Sequence, residues 1–285
     1  MSAGNSSITA KFPIIARAED TVIVFLRFGG TTVSTITDTQ GNAYDPVTGP
    51  MQWGTTRGGS TDRVAQVFVA KAIAGGALSV TANLAGSSTH GLYAVALEYS
   101  GVDTTNPVNA FAVGNGTVSQ NGAPTTANMN TTVANTKLVA TSWDSNDSYA
   151  ANNNGSGFQT IVLAAVPSVA GGAGWGNLTE DATAPTTGNW NASATTGPNL
   201  VDWAIQAVAL TPGAGANDDC RSWWQLQLQQ RAKRKLYGHT YESGDVQSCI
   251  SASRRQRGAR LGGELRSESW NYFRNGDRQP YCRPD

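Results

Sequence analysis

The amino-acid sequence predicts an all-β protein: a two-sheet antiparallel sandwich, jelly-roll-like, followed by a mostly irregular, part-helical C-terminal tail. Three observations carry the prediction. Residues 1–216 are built of short β-branched and aromatic runs cut by Gly, Asn, Asp and Pro. No helical pattern of about 10–15 residues separates these runs, as a parallel α/β sheet would need. The character of the chain also breaks near residue 217. All but one of the threonines lie before it, whereas 11 of the 15 arginines and all three cysteines (Cys220, Cys249, Cys282) lie after it.

The strands follow in order. Thr21–Phe28 is apolar on both phases until Arg27, as a strand covered on both sides would be. Val33–Asp38 leads into the turn Thr39-Gln40-Gly41-Asn42. In Arg63–Lys71 the phase Ala65, Val67, Val69 is wholly apolar. Leu78–Leu84 is expected to pair with it across Ala74-Gly75-Gly76, because glycine reaches positive φ without steric cost. Leu92–Tyr99 places Tyr93, Val95, Leu97 and Tyr99 on one face and Leu92, Ala94, Ala96 and Glu98 on the other. Lys137–Trp143, Phe158–Val166, Trp190–Ala194 and Val201–Leu210 complete the set. About nine or ten strands in one unit suit a jelly roll. Gly101–Asn130 and Ala170–Gly188 read as long loops.

Residues 1–212 are therefore expected to form the sandwich domain, 213–219 a linker and 220–285 a tail. Within the tail, Ser222–Leu236 is a candidate helix, with Trp224, Leu228, Ala232 and Leu236 at near-helical spacing. From Cys249 on no period is visible. A solvated disordered segment or an out-of-frame translation is the favoured reading. The alternative is a basic interaction tail in which Arg254, Arg255, Arg257, Arg260 and Arg266 stand near Trp270, Tyr272 and Phe273. Nucleic acid is accordingly a disfavoured partner.

Charge divides the same way. Residues 1–216 carry 7 basic and 12 acidic side chains, and the rest carry 13 and 8, so the net charge of zero is a cancellation. Charged residues make up 14% of the chain, against roughly 25% in ordinary soluble domains. Low charge with abundant Thr, Asn and Gly is common in extracellular bacterial and virion β-proteins. The N-terminus shows no secretion signal, so export by a cleaved signal is not expected unless the signal lies outside this chain. No run of about 18 apolar residues suggests a membrane span.

Several phrases recur together in a known kind of module. They are Ala18-Glu19-Asp20-Thr21-Val22-Ile23-Val24, Thr37-Asp38-Thr39-Gln40-Gly41-Asn42-Ala43-Tyr44 and Val69-Ala70-Lys71-Ala72-Ile73-Ala74-Gly75-Gly76. Leu97-Glu98-Tyr99-Ser100-Gly101-Val102-Asp103-Thr104-Thr105-Asn106-Pro107, Glu180-Asp181 and Trp203-Ala204-Ile205-Gln206-Ala207-Val208-Ala209-Leu210 follow. Together they resemble a β-sandwich module found in bacterial secreted, surface and phage-associated proteins. The resemblance spans most of residues 8–212 and none of the tail. It implies a non-catalytic binding or adhesion role, with ligands mostly undefined and no catalytic residues carried over.

The residues themselves give no enzyme signature. His90 and His239 are the only histidines, and His90 lies in a polar Gly/Ser/Thr segment without a nucleophile motif. Glu98, Glu180 and Asp181 offer carboxylates for hydrolysis, as any acid-containing chain does. Hydrolase action on polysaccharide is thus a distant third reading. For ligand binding the candidates are Trp53, Trp143, Tyr149, Trp175 and Trp190, with Asp144 beside Trp143, since flat rings in polar turns suit sugar faces. No cofactor is expected beyond a candidate structural Ca²⁺. Its ligands would come from Glu98, Asp103, Glu180 and Asp181, with Asp38 as a further donor. The plainer reading of Glu98 is an outward strand position or a hydrogen-bonded corner.

The leading expectation is a binding or adhesion module for glycan on a cell or extracellular surface. The runner-up is a bacteriophage virion decoration or fibre protein, with self-association or virion neighbours as partners.

Overall fold

A computed structural model describes residues 5–54, 63–118, 123–145, 154–166, 175–196, 201–214, 222–223 and 227–229. The first half of the chain supplies strands β1 (Ser7–Ala16), β2 (Thr21–Gly29), β3 (Val33–Asp38), β4 (Asp45–Pro46), β5 (Met51–Trp53), β6 (Arg63–Ala70), β7 (Gly76–Leu84) and β8 (Tyr93–Tyr99). The second half supplies β9 (Val108–Val118), β10 (Met129–Thr131), β11 (Thr136–Asp144), β12 (Gln159–Val166), β13 (Trp175–Ala184), β14 (Gly188–Trp190) and β15 (Val201–Leu210). Two short strands follow, β16 (Ser222–Trp223) and β17 (Gln227–Gln229). No helix occurs among the described residues, and none is long and apolar enough to cross a membrane.

Among the described residues all pairings are antiparallel and form four sheets. The first has the order β1-β7-β3. The second runs β16-β8-β2-β6-β4, with β17 also on β8 and β5 also on β6. The third runs β12-β13-β11-β15-β9, and the fourth is the pair β10-β14. The all-β antiparallel expectation is met. The two-sheet count is not, because each central sheet has an outer cover. The reason is visible in β2, every residue of which is buried. Val22, Val24, Leu26 and Phe28 pack with Ile8, Leu78 and Val80 of the first sheet. Ile23 and Phe25 pack with Val139, Ala204 and Val208 of the third. Leu138, Ala140, Ile205 and Ala207 then meet Met129 and Ala192 on the far side of the third sheet. Apolar side chains on both phases need cover on both faces, and each fully buried Phe or Leu contributes about 1.5–3 kcal/mol.

Jelly-roll connectivity is also absent among the described strands. Residues 7–99 build the first sheet and most of the second, and residues 108–210 build the third and fourth. The two central sheets are thus not interleaved. Nor do Arg63–Ala70 and Gly76–Leu84 form the expected hairpin. β7 crosses to pair with β1 and β3, while β6 pairs with β2. Gly75 serves close packing here, since a Cβ on it would stand 2.7 Å from the amide nitrogen of Ala18.

The expected loops Gly101–Asn130 and Ala170–Gly188 contain β9 and β13 respectively. β9 is an edge strand that pairs, among the named strands, with β15 alone; its Gly114 admits the Thr125 carbonyl, and its Asn115 Nδ2 donates to the Gln52 carbonyl. β13 is polar yet buried, and its side chains pair across the sheet, as Thr179 does with Thr141 at 3.0 Å. The candidate helix Ser222–Leu236 is replaced at 222–223 and 227–229 by strands on the free edge of β8, where backbone groups need partners. Pro212 and Gly213 stay attached to the body through Val102 and Gly101. The rest of the expected linker and tail lies outside the described residues.

Candidate functional site

Among the described residues, the aromatic candidates do not form a shared solvent-facing surface. Trp53 at the end of β5 and Trp143 on β11 are each 1% exposed, in the core between the second and third sheets. Both stand on strand phases that face the opposite sheet, so their size serves packing. Trp190 is half-buried against the core of the third sheet. Trp175 begins β13, its side chain lies outside the described set, and so does Tyr149. Asp144 is buried, and its Oδ1 accepts the Gly176 N–H at 2.8 Å. The polar company of Trp53 is internal: Arg27 lies 5.2 Å from its ring centroid and Arg63 5.4 Å. Arg27 also lies over Tyr93 at 5.4 Å, and Arg63 approaches Asp202 at 3.6 Å. Burial pushes the Arg27 guanidinium well below its ordinary range. Tyr93 opposes that effect, Arg63 adds to it, and Asp144 opposes it. These stacked cations all lie on rings of the first half of the chain, and the Arg63–Asp202 pair is what reaches the second half.

The carboxylates proposed for calcium are likewise separated. Glu98 Oε1 accepts the Arg17 N–H at 2.8 Å, and Asp103 Oδ1 accepts from Thr105 N and Asn106 N, each at 2.8 Å. Glu180 Oε2 accepts the Gly155 N–H at 2.7 Å. Asp181 Oδ2 lies 2.6 Å from Lys137 Nζ, and its Oδ1 accepts from Gln159 Nε2 at 3.0 Å. Asp38 accepts from Gln40 N, Asn42 N, Asn42 Nδ2 and Tyr44 Oη. Among the described residues no group of three or more metal-type side chains converges. In the structure these acids accept from turn and buried donors, and Glu98 is buried rather than facing outward. Burial is the main reason Glu98 is pushed up to about 7, and a neighbouring Asp20 adds to it. Burial likewise pushes Glu180 up to about 7, with Asp181 adding to it. Hydrogen bonds from Asn42, Tyr44 and Gln40 hold Asp38 below its ordinary value although burial opposes them.

Three of the phrases that carry the resemblance are joined by hydrogen bonds. Asn42 Oδ1 accepts the Ala74 N–H, Thr39 Oγ1 and Gln40 Nε2 both donate to the Ala77 carbonyl, and Ile73 N donates to the Asp20 carbonyl. Thus Asp-Thr-Gln-Gly-Asn and Ala-Ile-Ala-Gly-Gly are two turns that hold each other.

Beside these turns lies an open groove of about 260 Å³ between β4 of the second sheet and β9 of the third. Asp45, Val47, Lys71, Asn106, Pro107 and Phe111 line it. Lys71 Nζ donates to the Thr105 carbonyl at 3.0 Å, which fixes one wall. Phe111 is 51% exposed, because its phase faces the second sheet at the outermost edge of the third, where no strand covers it. The arrangement offers a flat apolar ring, a carboxylate, an amide and an ammonium facing solvent. The sequence reading missed Phe111 by placing it in a loop. The available signal was the alternation Val108, Ala110, Ala112 around it.

Comparison with family models, with characterised proteins and with solved structures gives no match.

Proposed function

We propose that this chain is a non-catalytic binding module at an extracellular or virion surface, which holds a glycan-type polymer in the groove beside Phe111. The exposed Phe111 ring carries the reading. An aromatic face stacks on the apolar face of a sugar, while Asp45, Asn106 and Lys71 stand where ring hydroxyls need donors and acceptors. Affinity electrophoresis against a panel of soluble polysaccharides tests it. At least one polymer should retard the protein, and Phe111→Ala should abolish the retardation with folding intact. Retardation that survives Phe111→Ala, or silence across the panel, would reject the groove.

The second reading is a structural subunit of a bacteriophage particle. It is favoured by Ile14 and Ile15, 47% and 74% exposed, on the edge strand β1 beyond a break in its register with β7. Sedimentation separates the readings: an assembly subunit self-associates and Ile15→Lys disperses it, whereas an isolated binding module stays monomeric.

A further inference from the structure

We propose that Lys137 and Asp181 condense spontaneously to an intramolecular amide, a covalent tie between β11 and β13. Lys137 Nζ and Asp181 Oδ2 stand 2.6 Å apart on adjacent antiparallel strands, with side chains 8% and 0% exposed. They occupy the face of the third sheet that packs on the second. In register, Val139 stands opposite Asp181 and Leu210 opposite Lys137. Two charges held there lack the solvation that makes an ion pair favourable in water, and a neutral amide removes both. Holding amine and carboxyl in contact also makes the step effectively unimolecular, and the dry surroundings disfavour the reverse hydrolysis.

The neighbouring groups suit the chemistry. Gln159 Nε2 donates to Asp181 Oδ1 at 3.0 Å, so that oxygen is held as the future amide carbonyl and its developing charge is met. Oδ2, the oxygen nearest Nζ, is the leaving oxygen. The Tyr99 phenol is buried against the same carboxyl, which together with burial pushes it well above its ordinary range, so it stays protonated beside the reacting groups. The step balances without any co-reactant. The ammonium passes one proton to Oδ2, the amine nitrogen attacks Cγ, and Nζ releases a second proton as Oδ2 departs. One C–N bond forms, one C–O bond breaks, and one water leaves. Residues 1–216 contain no cysteine, so no disulfide ties these strands, and an amide would supply the missing staple. Its closed loop would span β11 to β13, including the whole of β12.

Mass spectrometry of the purified full chain under denaturing conditions decides the matter. The expected mass is one water below that of the sequence. Proteolysis should yield a branched peptide joining the segment of Lys137 to that of Asp181, with no tryptic cleavage after Lys137. Lys137→Arg should restore the full mass. A succinimide at another aspartate would also remove one water, but it would persist in Lys137→Arg and give no branched peptide. That outcome, the full sequence mass in the wild type, or a free Lys137 after digestion would overturn the proposal. The wild-type mass and the branched peptide suffice even if a variant fails to fold.

Discussion

Replacing Glu180 by Gln should stabilise the protein at alkaline pH and leave it nearly unchanged at acid pH. Glu180 is fully buried, one carboxyl oxygen accepts the Gly155 N–H, and the other has no hydrogen-bond partner among the described residues. Burial raises its pKa from 4.5 to about 7. The folded state therefore prefers the neutral acid. A raised folded value means that stability is fully present below pH 4.5, declines as pH rises, and is lost once pH passes about 7. At 1.36 kcal/mol per pH unit, ionisation costs the folded state about 3 kcal/mol at pH 8.5 and under about 1 kcal/mol at pH 5. Gln mimics the neutral acid and can keep the Gly155 bond. Urea unfolding at both pH values measures the difference. The midpoint of Glu180→Gln should exceed the wild-type midpoint at pH 8.5 by the equivalent of about 3 kcal/mol, with near-coincidence at pH 5. A gain of equal size at both pH values, or none at pH 8.5, would show that ionisation of Glu180 is not what burial penalises. Glu98, raised to about 7 in the same window, should leave a residual pH slope in this variant.

Three further outcomes follow from packing and hydrogen bonding. Asp38→Ala removes the acceptor of four hydrogen bonds in the 38–44 turn and should cost about 1–3 kcal/mol near pH 7 by denaturant unfolding. Because the Asp38 value is depressed when folded, this contribution is present above pH 3.8 and fades as pH falls, so the two proteins should converge in acid. Phe25→Ala, in the core between the central sheets, should lower stability by about 3–5 kcal/mol in the same assay. Gly75→Ala places a Cβ 2.7 Å from a backbone nitrogen and should lower the thermal midpoint, whereas alanine at Gly49, where a Cβ meets nothing within 4 Å, should leave it nearly unchanged.

Much of the first half was legible. The run Thr-Val-Ile-Val-Phe-Leu is apolar on both phases, and β2 is indeed covered on both faces. Asp38 before Thr-Gln-Gly-Asn read as a turn, and its carboxylate caps that turn. The second half was harder because its burial is polar. Trp-Gly-Asn-Leu-Thr-Glu-Asp-Ala-Thr-Ala looks like a loop, yet it is β13, bonded on both sides by β11 and β12. Its polar side chains become tolerable only once Thr141, Lys137 and Gly155 stand opposite them, and sequence pattern does not show cross-strand partners. The tryptophans misled for a related reason. Trp53 and Trp143 sit near polar segments in the sequence, but strand phase turns both toward the opposite sheet.

The all-β class, most strand positions and the turn chemistry are written locally, because alternation and Gly/Asn/Asp punctuation act over a few residues. The number of sheets, the burial of Trp53 and Trp143, the exposure of Phe111 and the meeting of Lys137 with Asp181 emerge from the assembled fold. Each of these depends on which strand lies beside which and in what register. Those pairings join residues far apart in the chain, so no local pattern encodes them.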